Sequence, residues 1–232
     1  MLHKFNYFEP LHIQSFIFYL ILTIVIISVP FIIRTDYKGY YTRFLGYFLL
    51  FAKIFDIWYR IFIEQEKWFY TIPLNLCNIS LIISGLFFIK RSNHLFNLVY
   101  FWFTGAILAV ILPGIEYYHT RFYVHVFMGT HFLEIMTVIY GFIHLDVRIT
   151  KNGLKWAILG YIGMCITGLL INNILGTNFM FVNDYIISAV SFIRPFWIYV
   201  IILISLFVLS MILTYLPFLH IDNEEIEEKS IN

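Results

Sequence analysis

The chain has 232 residues, 61% of them hydrophobic and only 12% charged, with a formal net charge of +1. A soluble domain carries about twice that share of charge, so a water-soluble fold is excluded and nothing in the charge balance invites a nucleic acid. The length suits one helical bundle with short connections and leaves no room for a second soluble domain.

A membrane-crossing helix needs about 20 mostly apolar residues. On that ruler the chain offers seven spans, at 14–33, 44–63, 70–89, 97–113, 122–144, 154–173 and 197–219. The expected fold is therefore all-α, a polytopic membrane bundle of about seven transmembrane helices occupying residues 1–221. Pro30, Pro113 and Pro217 fall near span ends and Pro73 near a start, where a missing N–H does least harm. The first apolar run is span-length and lacks an A-x-A-like site, so no cleaved signal is expected. The stretch from Ile174 to Phe196 mixes polar and aromatic residues and is expected to lie on the membrane as a short interfacial helix. Residues 222–232 form an acidic tail, expected to be disordered. Cys77 and Cys165 both lie within apolar segments, which argues against a disulfide framework.

Lys and Arg set the expected orientation. Arg34, Lys38, Arg43, Lys90, Arg91, Arg148, Lys151, Lys155 and Lys229 fall on one side, and Lys4, Lys67, Arg121 and Arg194 on the other. The first set is expected in the cytoplasm, with the N-terminus outside and the C-terminus inside. Richness in Ile, Phe, Tyr, Lys and Asn fits an AT-rich bacterial genome, and hence a bacterial plasma membrane.

Polar residues inside the spans gather toward the non-cytoplasmic side. The second span carries Lys53, Asp56 and Arg60, whose spacings of three and four place them on one helix face. The third opens with Pro73, Asn75, Cys77 and Asn78; the fifth holds His125, His131 and Glu134; Asn172, Asn173 and Asn178 follow at the end of the sixth. Intramembrane charge costs a few kcal/mol per residue, so these groups are expected to line a polar chamber. Each also has a plainer reading. Lys53–Asp56–Arg60 serves equally as a packing ion network or as an anion site. Cys77, with Ser80 and Ser84 on its stripe, is either a small hydrophobe or a thiol activated near a helix N-terminus. His131 and Glu134 share a face, so the carboxylate could orient the imidazole, while hydrogen bonding between helices would also account for a histidine here. A zinc site can be drawn from His125, His131, Glu134 and Asp56, yet no tight ligand spacing such as H-E-x-x-H is present, and no metal is expected.

The run Ile72-Pro-Leu-Asn-Leu-Cys-Asn-Ile-Ser80 resembles the opening of the third span in the bacterial YwaF-type integral membrane family. Trp102-Phe-Thr-Gly-Ala-Ile-Leu-Ala-Val-Ile-Leu-Pro113 resembles its fourth span, and His131 and Gly176-Thr-Asn-Phe-Met180 continue the pattern in order. Asn75 departs from the histidine expected at its position. That family is distantly similar to the animal transmembrane protein 164 acyltransferases, which are thought to move a fatty acyl chain from a phospholipid to a lysophospholipid through a membrane cysteine and a histidine. The resemblance implies that Cys77 is the nucleophile and His131 the base. Glu134 and His125 would then be supporting groups, Asn75 and Asn78 candidate oxyanion donors, and Lys53, Asp56, Arg60 and Asn178 the head-group contacts. The implied partners are membrane phospholipids and lysophospholipids. No cofactor is expected, since no nucleotide motif is visible. A lipid hydrolase, a small-solute transporter or ligand-binding subunit, and an assembly factor without chemistry remain alternatives.

Overall fold

The computed structural model describes residues 2–186 and 190–219. Among these residues there are seven α-helices: α1 Pro10–Ile32, α2 Thr35–Phe62, α3 Leu76–Lys90, α4 Asn93–Ile111, α5 Arg121–His144, α6 Lys151–Leu175 and α7 Phe196–Tyr215. The all-α membrane bundle read from the sequence is thus the observed architecture. The acidic tail lies outside the described residues.

Five helices, α1 and α4 to α7, are long and apolar enough to cross a bilayer. The other two are the informative ones. Helix α2 has 28 residues, but Lys53, Asp56 and Arg60 interrupt its apolar run. Helix α3 is apolar but has only 15 residues, about 22 Å at 1.5 Å per residue, short of a hydrocarbon core of about 30 Å. The span expected at 70–89 therefore loses its first turn and a half. Pro73 is the cause, because the residue before a proline is driven out of the helical region; Ile72 sits at φ −55°, ψ 129°. A 3-10 turn, Trp68–Thr71, and an extended Asn75 lead into the helix. Cys77 is consequently the second helical residue.

Helices α3, α4 and α5 form the centre. Helix α2 packs on α3 and α5, α1 on α5, and α6 and α7 on α4 and on each other. Helices α2 and α3 approach closely because glycines face each other: a Cβ on Gly46 would lie 2.7 Å from the Gly85 carbonyl oxygen, and one on Gly85 would lie 2.9 Å from that of Gly46. Small residues at such crossings let helix backbones meet where lipid offers no hydrophobic drive for association. Aliphatic and aromatic side chains on α1, α6 and α7 face outward, among them Ile24, Phe31, Leu170, Trp197 and Leu206, as expected of a surface solvated by acyl chains.

The two ends of the bundle differ. At one, tight connections join α1 to α2, α3 to α4 and α5 to α6. At the other, longer connections join α2 to α3, α4 to α5 and α6 to α7, and β1 His3–Lys4 pairs antiparallel with β2 Tyr117–Tyr118. Glu64 ties this cap together by accepting from the His119 and Thr120 amides and the Thr120 hydroxyl. The interfacial helix expected between Ile174 and Phe196 is absent among the described residues. Instead Gly176, at φ +65°, ends α6, a left-handed position that favours glycine, and the chain folds inward through the 3-10 turn Phe179–Phe181. Asn172 accounts for this. Its buried amide donates to the Phe179 carbonyl at 3.0 Å and accepts from the Phe179 amide at 2.7 Å and the Thr177 hydroxyl at 2.8 Å, so the backbone is satisfied without helix.

Candidate functional site

The polar residues of three helices meet beneath this cap. Helix α2 supplies Lys53, which is buried and donates to Asp56 Oδ2 at 2.6 Å and to Asn78 Oδ1 of α3 at 2.7 Å. Position 53 lies two turns beyond Gly46 and position 78 two turns before Gly85, so the close glycine contact and the Lys53–Asn78 bond share one interhelical face. The ammonium has its two acceptors, and the pair is neutral.

Helix α3 presents Cys77 in its first turn. The amides of Leu76, Cys77 and Asn78 precede the first helical hydrogen bond, from the Ile79 amide to the Asn75 carbonyl, and Asn75 provides no side-chain cap. First-turn amides of this kind are donors in search of an acceptor. Asn75 reaches instead across the bundle, its Oδ1 accepting from the Met180 amide at 2.9 Å. Behind the sulfur stands Gly105 of α4, where a Cβ would lie 3.4 Å from Cys77 Sγ.

Helix α5 brings His131 and Glu134 to the same point. Cys77 Sγ, a ring nitrogen of His131 and a carboxylate oxygen of Glu134 all lie within 4.8 Å of one another. His131 Nδ1 is 2.7 Å from the Phe127 carbonyl one turn earlier. A carbonyl only accepts, so Nδ1 carries the hydrogen and Nε2 holds the lone pair of the neutral ring. The group that holds the imidazole is thus a backbone carbonyl, and not Glu134 as the spacing on α5 suggested. Glu134 is 1% exposed, and its Oε2 has no hydrogen-bond partner; the same holds for the hydroxyls of Ser80 and Ser84, both fully buried. Ser80 stands beside Glu134 without a bond of good geometry.

Several candidates lie elsewhere. Arg60 is engaged by Glu66, with Nη2 2.6 Å from Oε2 and Nε 3.0 Å from the same oxygen, and also donates to the Tyr70 carbonyl. The three charges on α2 therefore split into two ion pairs. His125 turns toward α1, 3.5 Å from the Ser15 hydroxyl and among the rings of Phe18, Tyr19 and Phe122. Asn178 shapes its own loop, accepting from the Asn183 and Asp184 amides and donating to the Asp184 carbonyl. Glu66 and the amides of the α3 first turn escaped the sequence reading. An acidic residue six positions after Arg60 was the available signal for the first, and the proline before Asn75 for the second.

A thiol, an imidazole with a free lone pair and a carboxyl, gathered inside a membrane bundle beside the first-turn amides of α3, can support nucleophilic acyl chemistry. The model of the TMEM164 family matches residues 7–215, from before α1 to the end of α7. The chain belongs to the TMEM164 family. A curated relative, an uncharacterized protein of Treponema pallidum (strain Nichols), is 36% identical over 173 residues, 75% of this chain and 73% of its own length. No solved structure matches. Membership of the TMEM164 family makes this a membrane protein, in agreement with its apolar helices.

Proposed function

We propose that this TMEM164-family protein is a membrane-embedded acyltransferase that moves a fatty acyl chain from a phospholipid to a lysophospholipid through a thioester on Cys77. The observation that carries the reading is the approach of Cys77, His131 and Glu134 within 4.8 Å on a chain of this family.

In the first half-reaction His131 Nε2 takes the thiol proton and the sulfur attacks the ester carbonyl carbon. The tetrahedral oxyanion is met by the first-turn amides of α3 and the Asn78 side-chain amide. Collapse breaks the ester C–O bond, the imidazolium returns its proton to the departing lysolipid oxygen, and the acyl chain stays on sulfur. In the second half an acceptor hydroxyl gives its proton to His131, attacks the thioester and expels the thiolate. Every proton and electron pair returns, so no external co-reactant enters. Near the cap, Arg60 is the cation a lipid phosphate would draw from Glu66. The cap side faces away from the cytoplasm in this reading, following the Lys and Arg bias of the connections.

The test is acyl exchange in liposomes with an isotope-labelled donor phospholipid and a lysophospholipid acceptor, read by mass spectrometry. Cys77→Ala abolishes labelled diacyl product, and His131→Ala lowers its rate by about 10²–10⁴. His125→Ala, facing α1, retains the rate. Labelled free fatty acid in place of diacyl product would make the enzyme a hydrolase. Unchanged exchange in a folded Cys77→Ala protein, or no turnover across several head groups, overturns the proposal.

A further inference from the structure

We infer that Cys77, His131 and Glu134 also form a three-ligand zinc site, so that Zn²⁺ binds at the thiol and shuts the acyl chemistry off. The inhibitory part rests on the acyltransferase reading; the binding itself does not.

The donor set is the first argument. One sulfur, one imidazole nitrogen and one carboxylate oxygen suit Zn²⁺, whereas Mg²⁺ and Ca²⁺ take oxygen ligands. Tetrahedral bonds of about 2.0–2.3 Å put ligand atoms about 3.3–3.8 Å apart. The three atoms already lie within 4.8 Å, so closure needs movement of about 1 Å, within reach of small side-chain rotations. The fourth position would stay open, as in zinc sites with three protein ligands.

Glu134 Oε2 is the independent observation. This oxygen is buried without any partner, in a region where unpaired polar atoms are costly. A cation between Glu134 and Cys77 would satisfy it directly, whereas the neighbouring Ser80 hydroxyl makes no bond of good geometry to it. The Phe127 carbonyl that holds His131 Nδ1–H is the outer partner that metal-bound histidines ordinarily have, fixing the ring with its other nitrogen available. Charge agrees as well. Lys53 and Asp56 cancel at 2.6 Å, so a Cys77 thiolate and a Glu134 carboxylate leave two negative charges, which one Zn²⁺ neutralises.

Spacing along the chain conceals the site. Only His131 and Glu134 share a helix, three residues apart, and the third ligand arrives from α3. The two residues that would have completed a set by sequence, His125 and Asp56, are turned to α1 and to Lys53.

The test uses chelator-stripped full-length protein in nanodiscs, titrated with Co²⁺ and followed by thiolate-to-cobalt charge-transfer absorption. One equivalent should bind, Zn²⁺ should displace it, and Cys77→Ser should lose the band. Glu134→Gln should weaken binding at least ~10-fold, while Cys165→Ser should change nothing. An absent band in the wild-type protein, a band that follows Cys165, or unchanged binding in Glu134→Gln overturns the metal site. Acyl exchange run in parallel keeps the two readings separate. Exchange that proceeds in chelator and stops with one equivalent of Zn²⁺ supports both. Exchange indifferent to Zn²⁺ sinks the inhibition and leaves the transferase intact. Stoichiometric, Cys77-dependent binding without exchange in chelator supports the metal site and overturns the transferase.

Discussion

Replacing Gly46 with alanine puts a methyl group 2.7 Å from the Gly85 carbonyl oxygen and 2.8 Å from Ile89 Cγ1. An ordinary contact there is about 3.4 Å, so the α2–α3 crossing must open by about 0.7 Å. Overpacking of this kind costs about 1–3 kcal/mol, and a backbone oxygen that cannot rotate away argues for the upper end. Against it stands the gain of about 1 kcal/mol that alanine brings to a helix over glycine. The net expectation is a loss of about 2 kcal/mol. Gly163→Ala in α6 is the matched control: its Cβ would meet nothing within 4 Å, so only the propensity gain remains. Both variants are to be unfolded by SDS in mixed micelles and followed by tryptophan fluorescence. Gly46→Ala/Gly85→Ala should lose less than the sum of its single variants, since each methyl opens the same gap. Gly46→Ala as stable as Gly163→Ala would refute the glycine crossing as the contact that sets the α2–α3 distance.

Two further outcomes follow from the buried polar groups. Lys53→Met strands Asp56 without its cation and should cost about 3–5 kcal/mol, whereas Lys53→Met with Asp56→Leu should recover most of it; equal losses in the same SDS titration would contradict a buried pair. Asn172→Leu removes three hydrogen bonds around Thr177 and Phe179. Amide exchange at Phe179 and Met180 should rise at least ~10-fold, and unchanged protection there would show that other contacts hold the turn.

Hydropathy carried the helices because lipid-facing segments must be both long and apolar, and α1, α5, α6 and α7 leave little latitude. It misplaced the start of α3, since Tyr70, Ile72 and Leu74 are as apolar as a helix would be and only Pro73 speaks against them. The meeting of Cys77 with His131 was legible through family resemblance; the three-residue step to Glu134 was legible from helix geometry alone. The carbonyl that holds His131 was not, because every helical residue has a carbonyl four positions back and only the ring's rotamer decides whether it is used. Likewise Arg60 shares a face with Lys53 and Asp56, yet the bend after Phe62 returns Glu66 to it, and such a return is invisible to helical periodicity. Asn172 read as one member of a polar chamber, whereas it is consumed in folding the connection that follows it.

Asn75 faces two ways. Its backbone is the threshold of α3, and its side chain holds the Met180 amide in the connection between α6 and α7. A displacement of that connection is therefore delivered two residues from the sulfur. The cap and the first turn of the thiol-bearing helix thus share one residue, so the position of Met180 bears on the start of α3.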